Sequence, residues 1–206
     1  VHIDEANFLM LMQGEFFAPH NHLVNWQGKT ERAFDVLSNP AGLAWFLWPL
    51  RNMDPMWMRL AMLPWIGLLW WGVNQFAQFY QKNAVFLFLL TLFSPSIFLS
   101  LGSIMPDIPL VALYISGLAG ACFRRSCVWA LVAGCAVFFR YSGLTVIPLL
   151  FLWAFVQGFD RRYGLIVVCS MLPFLFMTVF EFTVYGQSHF YHMIQFQSNE
   201  SMPFLS

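Results

Sequence analysis

Charge is what this sequence has least of. Its 206 residues carry ten Lys and Arg, ten Asp and Glu, and a net charge of zero. That is 10% charged, against about 25% in an ordinary soluble domain. No basic patch stands out, which excludes nucleic acid as a partner. Cysteine is also sparse. Cys122, Cys127, Cys135 and Cys169 fall in or beside apolar segments, without a C-x-x-C pair. They read as small buried hydrophobes, not as a redox or metal motif. There is no initiator Met and no basic n-region, so no signal peptide is visible. The acidic opening and the close within a loop read as a piece of a longer chain, with a membrane helix before Val1.

What replaces charge is apolar mass. Hydrophobic residues make up 59% of the chain, with 24 Phe, 11 Met and 9 Trp. Apolar runs approaching bilayer-spanning length recur, which predicts an all-α, polytopic transmembrane protein. The expected spans are 56–73, 84–105, 108–123, 127–139, 142–155 and 163–180, with kinks at Pro64, Pro95 and Pro148. The run 41–50 is too short to cross alone and reads as tilted, partly buried, re-entrant or superficial. Three regions follow: 1–37, an external loop with an interfacial helix; 38–183, a transmembrane module of about six to seven helices; and 184–206, an external loop or truncated tail. Within the first, Thr30 is placed to cap a helix near 30–37. Arg124-Arg125 and Arg161-Arg162 are the densest positive clusters. The positive-inside rule sets both inside and Asp107 outside.

Two acidic features interrupt this apolar background. Asp4-Glu5 opens the chain, and Asp107 lies in Met105-Pro106-Asp107-Ile108-Pro109-Leu110 between two uncharged runs. A carboxylate at the mouth of an apolar helix is costly unless it has a partner or a task. The bland reading of both is an acid at a helix start, favoured by the dipole. Arg140 reads as a snorkelling charge or a phosphate contact, with Tyr141 beside it. His20 and His22 share a polar loop. His189 and His192 are three residues apart, suited to one helical face. Gly117, Gly120 and Gly134 read as close helix contacts.

Three stretches together carry a resemblance: Asp4-Glu5-Ala6-Asn7-Phe8; Ser94-Pro95 with the stretch Met105–Leu110; and Trp129–Gly134 followed by Phe139-Arg140-Tyr141-Ser142-Gly143-Leu144 and Pro148. They are similar to polytopic glycosyltransferases of the GT-C superfamily, in the branch of dolichyl-phosphate-mannose protein mannosyltransferases, lipid A aminoarabinose transferases and lipopolysaccharide-core transferases. Asn39-Pro40 stands where that family usually has Pro-Pro. The resemblance implies a GT-C-type membrane module, incomplete here, in a cell inner membrane with an external or periplasmic active face. It implies inverting transfer of a sugar from a polyprenyl-phosphate carrier to a lipid, glycan or protein acceptor. Asp4 would be the base, and Glu5 and Asp107 would orient the acceptor or hold a divalent metal ion. Lys29 or Arg32, together with Arg140 and Tyr141, would meet the donor phosphate. The rival expectations are a transporter or flippase subunit and a non-catalytic membrane scaffold.

Overall fold

The computed structural model describes residues 3–26 and 28–201. The chain begins with helix α1 (Ile3–Leu11) and a turn of 3-10 helix, Pro19–Asn21. A two-stranded antiparallel hairpin follows, β1 (Leu23–Trp26) and β2 (Lys29–Arg32), with Leu23 opposite Arg32 and Trp26 opposite Lys29. Gly28, at φ +83°, takes the left-handed conformation that the turn requires. The expected helix at 30–37 is thereby corrected. Residues 29–32 pair as a strand, and the helix shrinks to the single turn α2 (Ala33–Val36).

Helices dominate from there: α3 (Gly42–Leu47), α4 (Pro55–Leu60), α5 (Leu63–Phe79), α6 (Ala84–Leu92), α7 (Pro95–Ser100) and α8 (Asp107–Phe123). Then come α9 (Cys127–Gly134), two 3-10 segments (Cys135–Phe138 and Tyr141–Thr145), α10 (Val146–Val156), α11 (Arg161–Tyr185) and α12 (His189–Ser201). Helix α8 is the hub. It packs on α5, α9, α7 and α10, and ten of its residues are buried. Small residues allow this closeness. A Cβ at Gly117 would stand 2.4 Å from Ala133 of α9, so the two backbones meet directly. On the α5 side, Ser116 Oγ donates to the Leu68 carbonyl at 2.6 Å. Trp71 and Trp129 stack at 4.1 Å across the same layer.

The reading of a polytopic transmembrane module, GT-C-type and of six to seven helices, is corrected by this architecture. One helix, Arg161–Tyr185, is long and apolar enough to cross a membrane by length and composition among the described residues. Helix α8, at 17 residues, spans about 25 Å, short of a hydrocarbon core of about 30 Å. The physical reason lies in the breaks. Pro95 has no N–H to continue a helix, and Ser94 turns its hydroxyl back to the Thr91 carbonyl at 2.8 Å, so the run 84–105 splits into α6 and α7. The run 56–73 splits at Met62, just before Pro64. The runs 127–139 and 142–155 each contain a 3-10 segment. The run 41–50 is a short core helix, with Leu43 and Leu47 fully buried. Composition reported how apolar these stretches are. It did not report how much unbroken helix they form.

Candidate functional site

Asp107 is the first residue of α8, so its carboxylate sits at the positive end of the helix dipole. It is 7% exposed. Its Oδ1 accepts from Arg140 Nη1 in a close ion pair, and its Oδ2 lies 3.4 Å from Ser100 Oγ. Ser100 donates more directly to the Ser96 carbonyl, at 2.8 Å, which leaves Asp107 chiefly to Arg140. Arg140 stands in extended backbone between the two 3-10 segments, and its side chain is 45% exposed. The bland reading of Asp107 as an acid at a helix start is what the structure shows, with the acid buried and held by a half-exposed cation.

Arg140 opens onto a cavity of about 480 Å³. Its polar side is Ser38, Asn39, Arg140, Tyr141 and Ser142, and its apolar side is Phe190, Met193 and Ile194 of α12. A smaller cavity of about 180 Å³, lined by Asp107 with Ser96, Ser100 and Ser103, lies beyond the ion pair. An apolar groove of about 330 Å³ between Leu110, Val111, Tyr114, Ile115 and Thr145 also includes Ser142, so it adjoins the main cavity.

Behind the cavity wall is a buried polar cluster. The Tyr141 hydroxyl bonds to His189 Nδ1. Burial, and then the Glu181 charge, push the Tyr141 phenol well above its ordinary value, so it remains a neutral donor. Glu181 Oε2 accepts from the His189 backbone N–H at 2.9 Å and from Ser188 Oγ at 3.2 Å, which caps α12 from the preceding helix. His20 stacks on His189 with ring centroids 4.6 Å apart, and its Nε2 donates to the Asn39 carbonyl at 3.1 Å. The sequence alone did not join Glu181 to α12 and left the two histidine pairs unconnected. The partners are 165 residues apart in the His20–Tyr185 contact, and no local pattern marks them.

The remaining expected residues lie elsewhere. Glu5 is 2% exposed and accepts from Arg59 Nη2 at 3.0 Å. Asp4 is in α1, with its side chain outside the described residues. Lys29 and Arg32 are exposed on β2 and do not line the Arg140 cavity. Arg32 pairs with Asp35 at 3.0 Å. Of the residues expected at a donor phosphate, Arg140 and Tyr141 share one cavity, and Asp107 reaches it through Arg140.

No protein-family model, curated protein or solved structure matches this chain. The likeness to GT-C glycosyltransferases is therefore corrected: its motifs are short, and the helices around them do not form the multi-pass module that they implied. Inverting sugar transfer from a polyprenyl-phosphate donor is corrected with it. That mechanism placed the acidic pair and Asp107 in one external pocket, with Asp4 as base and Glu5 and Asp107 orienting the acceptor or a divalent metal ion. Glu5 is instead neutralised by Arg59 and Asp107 by Arg140. No group of three or more His, Cys, Asp or Glu residues suited to a metal ion occurs among the described residues. The multi-pass inner-membrane placement with an external active face also falls, because one helix meets the length it needs.

Proposed function

We propose that this protein binds an anionic amphiphile, with the head group in the Arg140 cavity and the hydrocarbon chain along the adjoining groove. The observation that carries the reading is Arg140 itself. A guanidinium offers five N–H donors, Asp107 engages one nitrogen, and the side chain remains half-exposed at a cavity mouth. Asn39, Ser38 and Ser142 add neutral polar groups around the same space. Such a set suits a phosphate or carboxylate, which an arginine holds by charge-assisted hydrogen bonds. The chain-binding part rests on the shared Ser142 edge and on the apolar outer surface. Large apolar side chains such as Phe151, Phe155, Leu172 and Phe176 stand more than 40% exposed on α10 and α11. Contiguous faces of this kind mark contact with another apolar phase.

The test is a titration with short-chain probes: dihexanoyl phosphatidate, dihexanoyl phosphatidylcholine and inorganic phosphate. Phosphatidate is expected to bind at least about tenfold more tightly than phosphatidylcholine, a difference of about 1.4 kcal/mol. Arg140→Gln should abolish that preference. Ile115→Trp, which fills the groove, should weaken phosphatidate and leave inorganic phosphate unchanged. Equal affinity of the wild type for both lipids would refute the reading.

A further inference from the structure

We infer that α12 is an acid-released strap, closed over the Arg140 cavity by the stacked imidazoles of His20 and His189. The geometry has three parts. First, α12 supplies Phe190, Met193 and Ile194, the apolar wall of the cavity. Second, its attachment runs through His189, which is fully buried, bonds Tyr141 through Nδ1, and has Nε2 without a hydrogen-bond partner. Third, the neighbouring ring is another buried imidazole, His20, at 2% exposure. Phe34 of α2 packs edge-on against both rings. A second positive charge in this apolar enclosure would meet the first at stacking distance.

The ionisable groups around the pair come from every element against it. Helix α11 contributes Glu181 and Tyr185, the 141–145 segment Tyr141, and α12 itself His192. Helix α2 contributes Asp35, whose Oδ1 is 3.5 Å from His192 Nε2 but off hydrogen-bond geometry, and which also holds Arg32. No carboxylate is hydrogen-bonded to either imidazole of the pair among the described residues; Glu181 meets the His189 backbone instead.

Burial lowers His20 from 6.5 to about 4, partly offset by the Asn39 carbonyl. Burial, and then the His20 charge, lower His189 to about 2, partly offset by the Leu37 and Phe34 carbonyls. The sign follows. A released ring takes a proton near 6.5 and a docked ring does not. Docking is therefore fully favoured above 6.5. It weakens by about tenfold per pH unit for each ring below that, until the docked values are reached. Glu181 works the other way. Burial raises its carboxyl, so its protonation favours the docked state as pH falls. Two imidazoles oppose one carboxyl.

The inference stands whatever occupies the cavity, so it can be tested on the intact chain without ligand. Amide hydrogen exchange at 189–195 and 18–22, corrected for intrinsic rate, is followed from pH 7 to pH 5 with α8 as reference. Protection at both segments should fall by at least about tenfold, while 107–123 stays protected. The slope of log protection against pH should be about one proton steeper in the wild type than in His20→Gln. In Glu181→Gln, release should move to higher pH. A flat wild-type profile overturns the inference. So does an unchanged slope in His20→Gln.

Discussion

At the scale of single residues, the Asp107–Arg140 pair is unequal, and the inequality decides what each substitution does. Asp107 is 11% exposed at its side chain and Arg140 45%. Removing the arginine leaves a mostly buried carboxylate with Ser100 as its remaining neighbour. Arg140→Ala should destabilise the fold by about 2 kcal/mol, the upper range for a broken buried pair being discounted because Arg140 faces solvent. Asp107→Asn leaves a hydrated cation and should cost less, about 1 kcal/mol. Denaturant melts of the two variants check the order, and equal losses would contradict it. Arg140→Gln is the binding variant of choice because it keeps a hydrogen-bonding head near Asp107. The sequence showed Asp107 as an anomaly in an apolar stretch. It also showed Arg140 and Tyr141 as a basic-aromatic pair at a helix end. The resemblance put them at one site, but nothing in the sequence paired Asp107 with Arg140 directly, because 33 residues separate the two.

At the scale of elements, backbone closeness sets what α8 tolerates. Gly117 faces the Ala133 backbone at a distance no Cβ fits. Gly117→Val should therefore force α8 and α9 apart, with a loss of at least about 2–3 kcal/mol. Gly67, with nothing within 4 Å of its notional Cβ, should accept Ala with a change under about 1 kcal/mol. Thermal melts of the two variants test the contrast; similar shifts would contradict the α8–α9 packing. The small residues on α8 were legible as helix contacts from composition. The helix limits were less so. Residues 163–180 read as a span, yet α11 runs on to Tyr185 because the Glu181 carboxylate is satisfied by the next helix rather than by water. Residues 184–206 read as tail because their polarity is local, whereas the partners that order α12 are His20, Phe34 and Tyr141. The hairpin left one signal, Gly28 between short stretches able to form strands.

At the scale of the whole molecule, the chain turns three carboxylates and two imidazoles inward. Glu5, His20, Asp107, Glu181 and His189 are buried, while many large apolar residues are exposed. That inversion explains why hydropathy overstated the number of spans. The same residues supply both a core around α8 and an apolar exterior, and periodicity cannot separate the two in a helix that is apolar on every side. The inversion also gives the binding proposal its shape, since an amphiphile needs a polar cavity adjoining an apolar path. The most direct measurement is photo-crosslinking with a phosphatidate probe carrying the reactive group in its acyl chain, read out by peptide mass spectrometry. Adducts should concentrate at 110–115 and 142–145, which line the groove, and should be lost in Arg140→Gln. Adducts spread evenly over the outer faces of α6, α10 and α11, and unchanged by that substitution, would contradict the account.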